Sequence, residues 1–166
     1  MNNKKLIFTI IISFIVDRIT KVLIGLNYNL LETKPIINNL FSITYVKNKG
    51  AAFSILENKI PILIIISILA IILLVYYINK EKNISMLSTF SYGIIIGGIL
   101  GNLFDRVFLN GVVDFLSFKI FDYYFPIFNI ADSLIVIGII ILIIEIIIND
   151  LRKWKDGYQK DNSRRK

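Results

Sequence analysis

Apolar and polar positions in this chain fall into long blocks. Four apolar runs, Leu6–Ile24, Ile60–Ile78, Met86–Phe104 and Ile130–Ile148, approach the ~20 residues that a helix needs to cross a ~30 Å hydrocarbon core. Backbone groups in lipid must bond within their own segment, so runs of this length predict helices. Between the first two runs, Phe41–Val46 begins with apolar and polar positions in alternation and is rich in β-formers, which predicts a strand. Asn48-Lys49-Gly50 then reads as a turn. In the third run Gly93, Gly97 and Gly101 recur four apart, a small-residue face where another backbone can pack closely. The predicted fold is an all-α polytopic membrane protein in one domain, residues 1–166. It has four transmembrane helices, about 6–24, 60–78, 86–104 and 130–148, and a small extracytoplasmic β-rich region. The extracytoplasmic loops are 25–59 and 105–129, and the cytoplasmic tail is 150–166. After Asp150 the expectation is a frayed helix end, then disorder.

Charge placement orients these elements. Lys4 and Lys5 precede the first run, Lys80 and Lys82 lie between the second and third, and Arg152, Lys153, Lys155, Lys160, Arg164, Arg165 and Lys166 follow the fourth. The longer loops on the other side carry fewer: Lys34, Lys47, Lys49, Lys59, Arg106 and Lys119. The positive-inside rule then predicts both termini in the cytoplasm. The first run follows two lysines, as in a cleavable signal peptide. Asp17, Arg18 and Lys21 and the lack of a small-residue cleavage site instead read as a retained helix.

Composition narrows the chemistry. The chain is 55% hydrophobic and has a net charge of +7, no cysteine and no histidine. Disulfides and thiolate metal sites are excluded, along with the commonest general base. Acid–base work falls to carboxylates, lysine or tyrosine, and no metal or cofactor is expected. The basic residues follow topology and form no stripe, so nucleic acid is not an expected partner.

The polar residues that need explaining cluster between Gly97 and Asp132. Ionisable groups at membrane depth mark function or a buried pair. Asp17 and Lys21 are four apart and can pair on one helix face. Asp105 and Arg106, at the outer end of the third helix, can form a cluster with Asn102 one turn below. Asp122 reads as a solvated loop charge, and Glu145 as a carboxylate that can snorkel inward, with no role. Asp132 opens the fourth helix with Asn129 as N-cap, and on position alone it reads as a carboxylate stabilising that terminus. Asp114 has apolar neighbours on both sides, so a partner is expected nearby. The return of the chain to the fourth helix can bring it to Asp132. Two close carboxylates share a proton and titrate as a unit, and such a dyad can polarise a peptide carbonyl while activating water. Asp105 is a rival for the place of Asp114.

The chain resembles the bacterial lipoprotein signal peptidase family, signal peptidase II. The matching blocks are Asp17-Arg18-Ile19-Thr20-Lys21, Asn48-Lys49-Gly50-Ala51-Ala52-Phe53-Ser54, Gly97 through Arg106, Val112-Val113-Asp114-Phe115 and Phe128-Asn129-Ile130-Ala131-Asp132. The resemblance implies a membrane aspartic endopeptidase of the bacterial inner membrane with its site at the outer face. It would cut prolipoproteins just before a diacylglyceryl-modified cysteine. It implies Asp114 and Asp132 as the catalytic pair. Asn102, Arg106 and Asn129 would line the site, with Asp105 in its frame. Asn48 and Gly50 would belong to a covering loop, and Asp17 and Lys21 would support the bundle and lipid site. Membrane lipids and cyclic peptide antibiotics of the globomycin type are implied partners, and a monomer is expected. A transporter would spread its charges through bilayer depth, whereas here the acids collect at one interface. A non-catalytic scaffold would tolerate isosteric amides at these positions.

Overall fold

The computed structural model describes residues 3–50, 56–81 and 83–164, with side chains described to residue 156. The Ala51–Ser54 part of the second motif, Lys82, Arg165 and Lys166 lie outside the described residues. The elements in chain order are α1 (Asn3–Asn27), β1 (Thr33–Ile37), β2 (Phe41–Asn48), α2 (Ile60–Lys80), α3 (Met86–Leu109), β3 (Val112–Ile120), β4 (Tyr123–Tyr124) and α4 (Ile130–Arg164). The molecule is mostly helical, with one small antiparallel sheet in the order β1-β2-β3-β4.

Three helices, α2, α3 and the part of α4 from Ile130 to Asp156, are long and apolar enough to cross a membrane. α1 is of similar length but carries Lys4, Lys5, Asp17, Arg18 and Lys21. Its polarity is inverted relative to a soluble helix. The buried positions are Ser13, Asp17, Lys21 and Ile24, a stripe at helical spacing. Ile7, Phe8, Ile11, Ile15, Ile19 and Leu26 are exposed on the other side.

α3 is the central helix. Residues 91–98 are all buried, and α3 packs on α1, α2 and α4. Glycines make the approach possible. A β-carbon at Gly93 would lie 2.6 Å from Thr9 Cβ, and one at Gly97 would lie 2.8 Å from the Ile10 carbonyl oxygen. Those are the two glycines of the expected seam that meet the backbone turns of α1. Gly101, the third, faces the Asp17 carboxylate. Gly98 faces α4 instead, with 2.6 Å between its would-be β-carbon and the Ala131 carbonyl oxygen. Ser85 caps the start of α3 by accepting from the Ser88 amide.

Four expectations need correction. α3 runs to Leu109, so Asp105 and Arg106 are helical and the loop begins later. The region between α3 and α4 is largely strand: Val112–Ile120 forms β3, and Val113 and Phe115 turn to one face while Asp114 turns to the other. α4 continues to Arg164, so the polar stretch after Asp150 is helix where disorder was expected. Its alternating charges remain compatible with helical backbone. Glu145 does not snorkel free, because its Oε2 accepts from Ser88 Oγ at 2.7 Å and ties α4 to α3.

The sheet rests on the ends of the helices. Val113 and Phe115 pack with Ile24 in one buried cluster, against Tyr28, Ile43, Tyr45, Leu116 and Ile130. β2 and β3 pair with Val46 opposite Asp114 and Asn48 opposite Val112. The segment before α4 joins the same sheet edge: Leu116 N donates to Phe128 O at 2.8 Å, and Phe128 N returns to Leu116 O at 3.2 Å. This pairing sets Asn129 beside Asp114 before α4 begins.

Candidate active site

Asp132 sits in the first turn of α4 and forms a reciprocal cap with Asn129. Asp132 N donates to Asn129 Oδ1 at 3.0 Å, and Asn129 N donates to Asp132 Oδ2 at 3.2 Å. This is the capping-box pattern with a carboxylate at the third helical position. The expected N-cap is therefore present. The carboxylate's other oxygen does a second job, accepting from Asn102 Nδ2 at 2.7 Å.

Asp114 is almost fully buried, with 3% of its surface exposed. Its Oδ1 accepts from Asn129 Nδ2 at 2.6 Å, and its Oδ2 from Asn48 Nδ2 at 2.9 Å. Asn48, at the end of β2, accepts from the Gly50 amide through Oδ1 at 2.8 Å, which is the expected turn. Asn129 thus contacts both carboxylates, one through its side chain and one through its backbone. Burial pushes the Asp114 carboxyl up to about 7, and the neighbouring Asp132 charge pushes the same way, against the lowering effect of the Asn48 and Asn129 amides and of Lys21.

Asp114, Asp132, Asn48, Gly50, Asn102 and Arg106 line one cavity of about 570 Å³. Lys47, Lys49 and Glu57 contribute charge to its wall, and Ile135 and Val136 continue it along α4. Arg106 reaches the Gly50 carbonyl oxygen at 3.5 Å and the Asn102 carbonyl oxygen at 3.4 Å. Among the described residues, no group of three or more His, Cys, Asp or Glu side chains is arranged to hold a metal ion.

Asp105 is elsewhere. It is fully buried and, among the described residues, is not part of the cavity wall. Arg18 and Lys21 both pair with it, Lys21 Nζ at 3.0 Å from Oδ2. The Val113 amide donates to the same Oδ2 at 3.1 Å. The sequence suggested that the adjacent Arg106 would satisfy Asp105. Neighbouring residues on a helix point about 100° apart, and the partners come from α1 instead. Lys21 also pairs with Asp17 at 2.9 Å and donates to Asn102 Oδ1 at 2.9 Å. Asp17 Oδ1 accepts from the Ala131 amide at 3.0 Å, satisfying a free N–H in the first turn of α4. Asp17 and Lys21 thus connect to the cavity through the first turn of α4, through Asn102, and through Asp105 to the backbone of β3.

Two residues were not singled out beforehand. Arg18 entered only as a charge of the first run and as part of a motif, with no partner expected. It bonds Asp105 and lies over the Phe104 ring, 4.6 Å from its centroid. Its position beside Asp17 carried no signal for a partner on α3. Glu57 sits in the cavity wall through a loop whose path is not legible in sequence. Asp122 is fully exposed, 3.9 Å from Lys119, as a loop charge should be.

Comparison with known proteins agrees with this arrangement at the level of fold and family. One solved bacterial membrane enzyme, determined by the in meso method at 2.3 Å, superposes with a TM-score of 0.82 and 36% identity, covering 89% of this chain and 90% of the other. A second, determined by the same method at 1.9 Å, gives a TM-score of 0.77 and 37% identity over 85% of this chain and 91% of the other. The family model described as signal peptidase (SPase) II matches residues 9–148, a span that holds every buried carboxylate and asparagine described above. With that match over most of its length, the chain belongs to the signal peptidase II family and is a multi-pass membrane protease.

Proposed function

We propose that this enzyme removes signal peptides from prolipoproteins by cutting just before a diacylglyceryl-modified cysteine, with Asp114 and Asp132 sharing one proton as the catalytic pair. The observation that carries the proposal is the single Asn129 bridge between two carboxylates that open on one cavity. Asp132 sits at a helix N-terminus, where a negative charge is favoured, and accepts from the N–H donors of Asn102 and Asn129. Asp114, buried in a strand and raised to about 7, holds the proton near neutral pH. Asp132 takes a proton from water as that water attacks the scissile carbonyl. Asp114 donates to the carbonyl oxygen, giving a gem-diol. As the C–N bond breaks, the proton held by Asp132 passes to the leaving amine and one gem-diol hydroxyl returns its proton to Asp114, which leaves a carboxylic acid and restores the pair. Such carboxylate acid–base catalysis contributes about 10²–10⁴-fold.

Four membrane crossings fit the exposed apolar and buried polar faces of α1, because lipid favours that inverted pattern. Both termini are then cytoplasmic, and the cavity faces outward at the cytoplasmic membrane. This placement suits the substrate. A diacylglyceryl chain leaves lipid at ~0.8 kcal/mol per methylene, so the carboxylates must come to the bilayer surface. Ile135 and Val136, at the apolar end of the cavity wall, give the acyl chains a path toward lipid. Asn48, Gly50, Asn102, Arg106 and Asn129 hold the cavity and substrate backbone, and Asp17, Lys21 and Asp105 hold the helices beneath it. Lipid-modified precursors, membrane lipids and globomycin-type cyclic peptides are the expected partners of a monomer.

Cleavage of a lipidated precursor in detergent or liposomes tests this. Asp114→Asn and Asp132→Asn should each lose about 10²–10⁴-fold in kcat while remaining folded. Near-normal turnover by Asp114→Asn, alongside none by a folded Asp105→Asn, would replace Asp114 with Asp105 in the pair.

A further inference from the structure

Three asparagine amides present their NH2 groups to the two carboxylates, and each is held on its carbonyl side by an N–H donor. The Gly50 amide holds Asn48, and the Asp132 amide holds Asn129. Those two donors are backbone N–H groups, which only a proline would remove. Asn102 differs. Its Oδ1 accepts from Lys21 Nζ at 2.9 Å and from Asn129 Nδ2 at 3.1 Å, and its Nδ2 donates to Asp132 Oδ1 at 2.7 Å. An ammonium group has donors only, so turning this amide over would set N–H against N–H at Lys21 and oxygen against oxygen at Asp132. Lys21 is 2% exposed and, among the described residues, is not part of the cavity wall.

We propose that Lys21 is a positioning residue for the reaction: it locks the Asn102 amide so that its NH2 is committed to Asp132 and keeps Asp132 the anionic member of the pair. The proposal rests on the reading in which Asp132 is the base. A hydrogen bond given to a carboxylate favours its charged form, and the Asn102 NH2 is the side-chain donor on Asp132 Oδ1. Asp132 is faced by Asp114 from β3 and Arg106 from α3, with Lys47, Lys49 and Glu57 in the same cavity wall. Lys21 itself is faced by Asp17 on α1 and Asp105 on α3, with Arg18 on the far side of Asp105. Among the described residues, none of these groups other than Lys21 donates to the Asn102 side chain.

The test is the pH profile of cleavage of a lipidated precursor. Lys21→Met leaves the buried Asp17 without a cation and Asp105 with Arg18 alone and can fail to fold, so Asp17→Asn/Lys21→Met, which removes the pair together, is measured beside it. The expected result is a 10- to 100-fold fall in kcat with KM unchanged, and an acidic limb moved to higher pH. Asn102→Ala should move the same limb, and the Lys21 change should then add nothing in its background. Arg18→Gln also strips a cation from Asp105. It should lower thermal stability and leave the limb in place. Additive effects of the Lys21 and Asn102 changes, or an unmoved limb in Asp17→Asn/Lys21→Met, would overturn the proposal. Full activity of Asp132→Asn would instead overturn the reading of the catalytic pair.

Discussion

The raised proton affinity of Asp114 comes at a cost in stability. An ordinary carboxyl titrates near 3.8 and this one near 7, so between those values the folded state binds a proton that the unfolded state does not. Stability then falls as pH rises through that window, and the burial penalty is present in full above about 7. Asp114→Asn carries no such charge. Its melting temperature relative to the unsubstituted protein is expected to climb between pH 4 and pH 8, by differential scanning measurement at several pH values. A flat difference would mean that the Asp114 charge is already solvated in the folded state. The same proton gives the alkaline side of catalysis: kcat/KM should decline above about pH 7 as Asp114 loses it. Asp114 stood out in sequence because its apolar neighbours left a carboxylate without a partner, whereas Asp132 read on position alone as a helix cap, which it is, and its place in the pair with Asp114 came from the family resemblance. The frame around Asp105 was legible only in part, since Arg18 is 87 positions away in the chain and nothing local announces that contact.

The elements that matter most are those that bring distant positions together, and α3 does this through glycine. Gly98 lies against the first turn of α4, with 2.6 Å from its would-be β-carbon to the Ala131 carbonyl oxygen, a backbone atom that cannot swing aside. Gly98→Val should therefore push that turn, and Asp132 one residue on, away from Asn102. The expected outcome is ~1–3 kcal/mol of lost stability and a loss of turnover larger than stability alone explains, measured by thermal unfolding and cleavage together. Gly25 on α1 has nothing within 4 Å of the same position. Gly25→Ala should leave turnover unchanged and stabilise by ~0.5–1 kcal/mol through helix propensity. The glycine seam and the apolar runs were readable because helical periodicity survives in the residue pattern. β3 was not read, although Val112-Val113-Asp114-Phe115 is rich in β-formers. Its pairing with β2 spans the whole of α2 and α3, and no short-range signal marks a partner that distant.

Taken whole, the proposed four crossings would sort the charges by side, and the lack of cysteine makes that arrangement easy to test. Single cysteines at Asn38 and Tyr123 should react with a membrane-impermeant maleimide in intact spheroplasts. Cysteines at Glu81 and Lys153 should react only after permeabilisation. Labelling of Lys153→Cys from outside would reverse the assigned orientation. The inverted face of α1 has a further consequence, for how the protein is made. In the proposed four-crossing arrangement α1 is made before α3, and each charge at the centre of an inserting helix opposes entry by ~2.5–3.5 kcal/mol. Asp17 and Lys21 can neutralise each other within α1 from the start, four residues apart. Arg18 waits for Asp105, which is synthesised 87 residues later. Until α3 arrives, Arg18 lacks the Asp105 carboxylate that it pairs with in the finished fold. Assembly is therefore expected to be late and concerted, with α1 drawn fully into the bundle by the helix that completes its ion pairs.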